Sequence, residues 1–522
     1  MQSLAPCGAE QYSPRVSSPT IPRRAQRLSE LSDRRFDLLV VGGGITGAGI
    51  ARDAARRGLA VALVEREDFA AGTSSRSSRL IHGGVRYLEH GYLHLVFEAS
   101  RERQRLLALA PHLVRPMQFT WPVYTGARVP RWQLAAALTL YDALALFRNV
   151  GRHHALGRDG VLAAEPALSP DGLRGGASYW DASTDDARLT LANVIDAAHV
   201  SATVVNHAEV VALTRGSTSG PVDGALVRDL LGGAEIRVQA RVVLNATGPW
   251  TDALLRMEGT PTGPAVRGTK GVHIAVPAAR VGNRSAVTML SPDDGRVMFA
   301  LPAGKHTIIG TTDTATQEHP HEVRAAHADV RYLLAACDRF FPAARLTEDD
   351  VVSAWAGIRP LVASTNRGDP SSASREHAIT TTAAQVVSIT GGKLTTYRAM
   401  AEQCVDLVVH RVGRAVRKCD TARAPLPGER AAAAPGDVRL DSALPWREQD
   451  VDHAVRHEFA ETVSDVLIRR TTLAFDRKDN GRAVAPRVAA RMGALLRWTD
   501  AGVRNALEEF ERDVQRIFAV MP

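Results

Sequence analysis

The chain has 522 residues, 45% hydrophobic and 23% charged, with a formal net charge of +8. That length suggests roughly two to four domains, and no apolar run reaches the roughly 18–20 residues of a transmembrane helix. Cys7, Cys337, Cys404 and Cys419 lie far apart with no C-x-x-C, which excludes a disulfide framework, a zinc ribbon and a close-spaced redox dithiol and points to an intracellular protein.

Only five of the 64 basic residues are lysine. The positive balance has two readings. It reflects heavy arginine usage, or it attracts an anionic partner such as phospholipid, nucleic acid or a phosphorylated substrate.

Residues 1–34 are rich in Ser, Pro and Arg and lack an apolar signal core, so they read as a disordered tail. Residues 36–41 predict a buried strand, 45–57 a helix and 59–65 a second strand, a βαβ unit. A polar, Gly-containing loop follows over 73–90, then a helix over 92–110 and a mostly apolar helix over 132–148. Short strand-like runs dominate 176–355, broken by a helix near 324–340. Strand character returns at "AAQVVSITGG", before a helix from 394 to about 413. Residues 411–445 read as a linker rich in Ala, Pro and Gly, and 446–522 as a separate helical domain.

Gly42, Gly44 and Gly47 form G-x-G-x-x-G straight after the first strand and at the start of the helix. The first glycine permits the tight turn, the second lets a pyrophosphate approach, and the third lets helix and strand pack closely. The helix N-terminus offers free N–H groups to the phosphates, with Thr46 in its first turn. Glu65 ends the second strand 23 positions after Gly42, where a carboxylate accepts ribose hydroxyls, with Arg66 beside it. The spacing favours a dinucleotide over a loose glycine turn. FAD is favoured over NAD because the motif opens the folded chain, a Ser/Thr/Arg loop follows, and "NATGPW" offers a second backbone approach through Ala246, Thr247 and Gly248. No second such motif follows in a βαβ setting, so electrons must leave to a quinone, to oxygen or to a protein.

The segment "GTSSRSSRLIHGGVRYLEHG" (72–91) resembles the FAD-dependent, quinone-linked glycerol-3-phosphate dehydrogenases. So do "DDARLTLAN", "VLNATGPW", "RGTKGVHIAVP", "IIGTTD", "AGIRPL" and "GGKLTTYRAMAE", in the family's order over roughly 36–410. The resemblance implies oxidation of sn-glycerol 3-phosphate to dihydroxyacetone phosphate, with electrons passing through FAD to a membrane quinone. It implies an α/β fold: a glutathione-reductase-like FAD-binding domain (35–410) interleaved with an antiparallel-sheet substrate domain (about 111–190 and 260–355), plus the C-terminal helical domain. A soluble oxidase using oxygen is the alternative. An FAD-containing RNA-binding protein is a remote one, opposed by the lack of a basic stripe with interleaved aromatics. No nucleic acid partner and no metal is expected, and a homodimer is compatible.

A phosphomonoester alcohol needs fixed positive charge and a base. Arg86, Tyr87 and Arg359 are the expected clamp, since a guanidinium fork suits phosphate oxygens. His273, alternating with apolar neighbours in a strand, reads as a packed residue or, by the resemblance, as a ligand to the substrate hydroxyl or the base. Arg359 is the rival base. Lys393 is the third catalytic candidate. Gly391 and Gly392 would let the backbone pass under the flavin ring, and Gly392, Lys393, Leu394 and Thr395 would place a cation and a helix N-terminus near it. Thr73, Ser74, Ser75, Ser77 and Ser78 are loop donors, with Leu80 beside them. Asp313 orients a site cation or caps a turn.

"RWQLAAALTLYDALALFR" (131–148) is too short to span, carries Asp142, and is flanked by Arg128, Arg131 and Arg148. It reads as a buried core helix or as one lying among lipid headgroups. The expected location is cytoplasmic, peripheral at the inner face of the cell membrane, against an anionic surface.

Overall fold

A computed structural model describes residues 21–85, 88, 91–146, 149–217, 220–259, 263–291, 294–363, 376–428 and 438–522. The strand Arg35–Val41 is buried along all but its first residue, so it reads as an unbroken apolar run. It lies between the parallel strands Val61–Val64 and Glu235–Asn245. Leu38 and Val40 enter one apolar core, while Leu39 and Val41 enter another on the opposite face. A central parallel strand must bury both faces, which is why polar alternation is missing. Helices Ile45–Arg56 and Tyr397–Val412 cover the first face. Among the described residues the sheet has eight strands, with Val387–Gly391 and His377–Thr381 completing one edge.

Among the described residues the second sheet has ten strands and is antiparallel except where Ala286–Leu290 runs parallel to Val114–Tyr124. Its strand Val266–Pro277 lies between His306–Gly310 and Ser353–Val362. The chain passes between the two sheets several times, giving an FAD-type α/β layer interleaved with an antiparallel one.

Two expectations are corrected. Residues 24–33, assigned to the tail, form the helix Arg24–Asp33. Distant ion pairs hold it, Arg24 to Asp229 at 2.6 Å and Arg27 to Glu461 at 2.5 Å, and local composition cannot reveal them. Residues 1–20 lie outside the described residues. The supposed linker is seated over 413–428, where Arg52 donates to the Ala424 carbonyl at 2.8 Å and Leu426 is buried. The C-terminal segment is helical, as expected, and it packs closely on the rest of the chain. Its Val451, Phe475, Val488, Phe510 and Phe518 share one apolar core with Leu80, Phe119, Tyr141 and Trp355.

The apolar helix is observed as Arg131–Leu144. Asp142 does not interrupt an apolar face, because it is buried and accepts from His153 Nδ1 at 2.7 Å and Asn149 Nδ2 at 2.6 Å. Arg148 lies outside the described residues. No helix among the described residues is long and apolar enough to cross a membrane.

Candidate functional site

A deep pocket runs from the carboxyl ends of the parallel strands to the antiparallel sheet. It is lined by Gly42, Gly44, Thr46, Glu65 and Arg66 at one end and by His273, Arg359 and Lys393 at the other. Ligands in open α/β sheets occupy this crevice beyond the strand ends.

At the first end the backbone crowds itself. Gly42 has φ +107°, and a Cβ there would fall 2.7 Å from the Ala246 carbonyl oxygen. A Cβ on Gly47 would fall 1.9 Å from the Gly42 oxygen, so Gly47 stands behind the wall and permits helix–strand contact. No side chain caps the helix Ile45–Arg56 from Gly44, and no acidic residue lies in its first turn. Glu65 is half-buried, accepting from Gly43 N at 2.6 Å and Glu67 N at 2.9 Å. Burial raises its carboxyl to about 7, against the two N–H bonds that favour the anion. A glycine-lined helix start and a half-buried carboxylate one strand away fit the phosphates and ribose of a dinucleotide.

The loop hydroxyls have protein partners. Thr73 donates to the Ile358 carbonyl at 2.6 Å, Ser74 accepts from Ile45 N at 2.9 Å, and Ser77 donates to Asp186 at 2.6 Å. Ser78 Oγ meets His273 Nε2 at 2.9 Å. Thr73, Ser74, Ser77, Ser78 and Leu80 line the pocket, as do Ala246, Thr247 and Gly248, whereas Ser75 lies beneath.

Gly391 and Gly392 have φ +73° and +85°. Cβ atoms there would fall 2.5 Å from the Glu376 oxygen and 2.3 Å from Met400 Cε. Protein packing therefore demands both glycines, without appeal to a ring passing over them. Lys393 and Leu394 line the pocket at the entry to helix Tyr397–Val412. Thr395 is behind the wall. Its Oγ1 accepts from His82 N at 3.2 Å and donates to His82 O at 3.1 Å, tying that loop to the helix.

His273 and Arg359 converge from neighbouring strands. Arg359 Nη1 donates to Asp313 at 3.0 Å and its Nη2 to Thr311 Oγ1 at 2.8 Å, so Asp313 orients the cation. A Cβ on Gly271 would fall 2.4 Å from that guanidinium, so the glycine makes room for it. His273 is buried, and its Nδ1 has no hydrogen-bond partner among the described residues. Burial, then the charges of Arg359 and Arg79, lower its pKa to about 3, leaving a neutral ring. A neutral imidazole and a fixed cation lining one pocket suit an anionic ligand that also carries a hydroxyl.

Arg86 and Tyr87 lie outside the described residues. The sequence reading missed four wall or support residues: Arg76, His82, Trp250 and Trp355. Arg76 and His82 stand inside the quoted 72–91 segment, and Trp250 ends "NATGPW". Burial and the nearby charge of Arg516 push the Arg76 guanidinium down to about 10. Trp355 had no local signal, because only the strand register brings it to His273.

Residues 37–398 match the FAD dependent oxidoreductase family, and 428–503 match the C-terminal domain of alpha-glycerophosphate oxidase. The chain is 35% identical over 541 residues to mitochondrial glycerol-3-phosphate dehydrogenase of Macaca fascicularis, covering 93% of this chain and 74% of that protein. It is 38% identical over 409 residues to aerobic glycerol-3-phosphate dehydrogenase of Bacillus subtilis (strain 168), covering 78% and 73%. The fold matches the FAD complex of glycerol-3-phosphate dehydrogenase from Bacillus halodurans with a TM-score of 0.77 and 30% identity, over 95% and 97% of the two chains. With a dinucleotide cradle that fits FAD and relatives aligned through both sheets and the C-terminal helices, the chain belongs to the family of FAD-dependent glycerol-3-phosphate dehydrogenases.

Proposed function

We propose that the chain oxidises sn-glycerol 3-phosphate to dihydroxyacetone phosphate and that its electrons go on to a membrane quinone. The observation that carries this is Arg359, fixed by Asp313, lining the same pocket as buried His273. Bound FAD supplies the hydride acceptor. Arg359 anchors the phosphate, and Arg86 and Tyr87 add donors to the clamp. His273 takes the hydroxyl proton. Its depressed pKa is the state without substrate: a phosphate dianion against Arg359 cancels part of the field that lowers it, so the anchored substrate itself makes the imidazole more basic. Arg359, paired with a carboxylate, serves as the anchor and not as the base. Lys393 is placed to balance negative charge arriving at the cofactor.

The quinone reading is supported by an apolar surface. Helices Leu93–Leu109 and Arg131–Leu144 pack together, and Leu93, Phe97, Trp132 and Leu140 on them are exposed, Trp132 at 74%. Exposed Arg128 and Arg131 flank the start of the second helix. An aromatic with basic neighbours suits the headgroup layer, where a lipid-soluble quinone is reached. This would seat the protein peripherally on the inner face of the membrane.

The test is anaerobic addition of glycerol 3-phosphate to the FAD-loaded protein. The flavin absorbance should bleach, and Arg359→Ala should weaken substrate binding by about 2–3 kcal/mol, roughly 30- to 150-fold. Arg86→Ala should weaken it also. Unbleached flavin in the intact protein overturns the activity. Peroxide formed with oxygen as fast as a quinone analogue is reduced overturns the quinone assignment and favours an oxidase.

A further inference from the structure

His273 is held in a slot made by strand register. Its cross-strand neighbours are Gly310 on one side and Trp355 on the other. A Cβ on Gly310 would fall 2.3 Å from His273 Cδ2, so the ring uses that space. Trp355 stacks on the imidazole, with centroids 5.6 Å apart and planes 15° apart.

Trp355 is in turn fixed from the C-terminal segment. The Phe475 ring meets it edge-on, at 5.2 Å and 89°, and Phe518 meets Phe475 at 4.9 Å and 80°. The Phe475 carbonyl accepts from Ser353 Oγ at 2.7 Å, pinning the contact to the same strand that carries Trp355. The Arg79 guanidinium lies 4.9 Å from the Phe475 ring centroid and 5.7 Å from that of Trp355. Arg79 adopts φ +56°, unusual for a residue with a Cβ, and directly follows Ser78, whose hydroxyl meets His273. One phenyl ring therefore touches both supports of the imidazole: the tryptophan behind it and the arginine next to its hydroxyl partner.

We propose that Phe475 is a positioning residue for the reaction at His273, so that the C-terminal helical segment is a working part of the site. Phe475 holds Trp355 edge-on and keeps Arg79 in place, and these fix the imidazole plane and the Ser78 hydroxyl. A misplacement of order 1 Å in a reacting group costs about 100-fold in rate. The proposal rests on the role given to His273 above.

The experiment is anaerobic, single-turnover flavin reduction by glycerol 3-phosphate in the full-length, FAD-loaded protein. Phe475→Ala should slow the rate at saturating substrate by about ten- to hundred-fold, with a smaller change in substrate Kd. Phe475→Leu, which keeps a bulky apolar side chain but offers no ring, should fold and also be slow. Phe510→Ala, in the same apolar core, should lower stability while leaving the rate of the folded protein unchanged. In a His273→Asn background, Phe475→Ala should cost no further rate. Multiplying effects of the two substitutions, a wild-type rate in Phe475→Leu, or equal slowing by Phe510→Ala overturns the proposal. A wild-type rate in His273→Asn alone overturns the role of His273, a failure seen before Phe475 is touched.

Discussion

Glu65 is a carboxylate whose neighbours oppose one another. Burial pushes it up to about 7, above the 4.5 of an unfolded chain. In the free protein its proton therefore stabilises the fold below pH 4.5, and that contribution is lost as pH rises through about 7. Ribose hydroxyls donate to the anion, so FAD binding should release the proton. FAD affinity should rise with pH and level off above about 7, with Kd roughly thirty-fold weaker at pH 5.5 than at pH 8. Flavin fluorescence during titration of the apoprotein measures this, and Glu65→Gln should flatten the curve. A pH-independent Kd in the unmodified protein would refute the assignment. The position of Glu65 was legible because one strand and one glycine turn fix it locally. Trp355 was not, because a residue's cross-strand partner depends on pairing register, which the local pattern of the chain does not encode.

At the scale of the element, the βαβ unit was legible for the same local reason. Apolar runs, three glycines and a helix start follow one another without interruption. The structure adds why Gly47 is required: the Gly42 oxygen occupies the space of its Cβ. Gly47→Ala should push the helix off the strand, giving a protein that purifies with little flavin. An FAD content equal to wild type would contradict this. The helix Arg24–Asp33 was illegible, since its anchors, Asp229 and Glu461, lie far along the chain. The helix Arg131–Leu144 was half legible. Its buried Leu134, Leu138 and Tyr141 agree with the core reading, and its exposed Trp132 and Leu140 form the face proposed above for membrane contact. Trp132→Ser with Leu140→Ser should weaken sedimentation with anionic vesicles at least several-fold while leaving anaerobic flavin reduction intact. Unchanged sedimentation would remove this helix from the contact.

Across the whole molecule, buried charge ties the C-terminal segment to the FAD layer. Asp68, fully buried after the second strand, accepts from Arg469 Nε at 2.5 Å and from Arg470 Nη1 at 2.5 Å. Arg188 and Glu458 form a second buried pair at 2.6 Å. Asp68, His207 and Asp465 lie close enough to hold a metal ion, but Arg469 bonds both carboxylates and Arg470 bonds Asp68, which makes the group an ion-pair cluster. Removing one partner strands the opposite charge, at a cost of about 3–5 kcal/mol. Asp68→Ala should lower unfolding stability by that amount in denaturant titration, with the two regions still unfolding together. Separate transitions would show that the C-terminal helices stand alone.

The aromatic contact across Trp355 constrains how this architecture could change over time. The first family match ends at residue 398 and the second begins at residue 428, yet the tryptophan is covered from within the second. A relative that has shed the residues beyond 428 would leave an indole facing water next to His273. Such a protein should carry a smaller or polar side chain at the equivalent place, or borrow cover from another subunit.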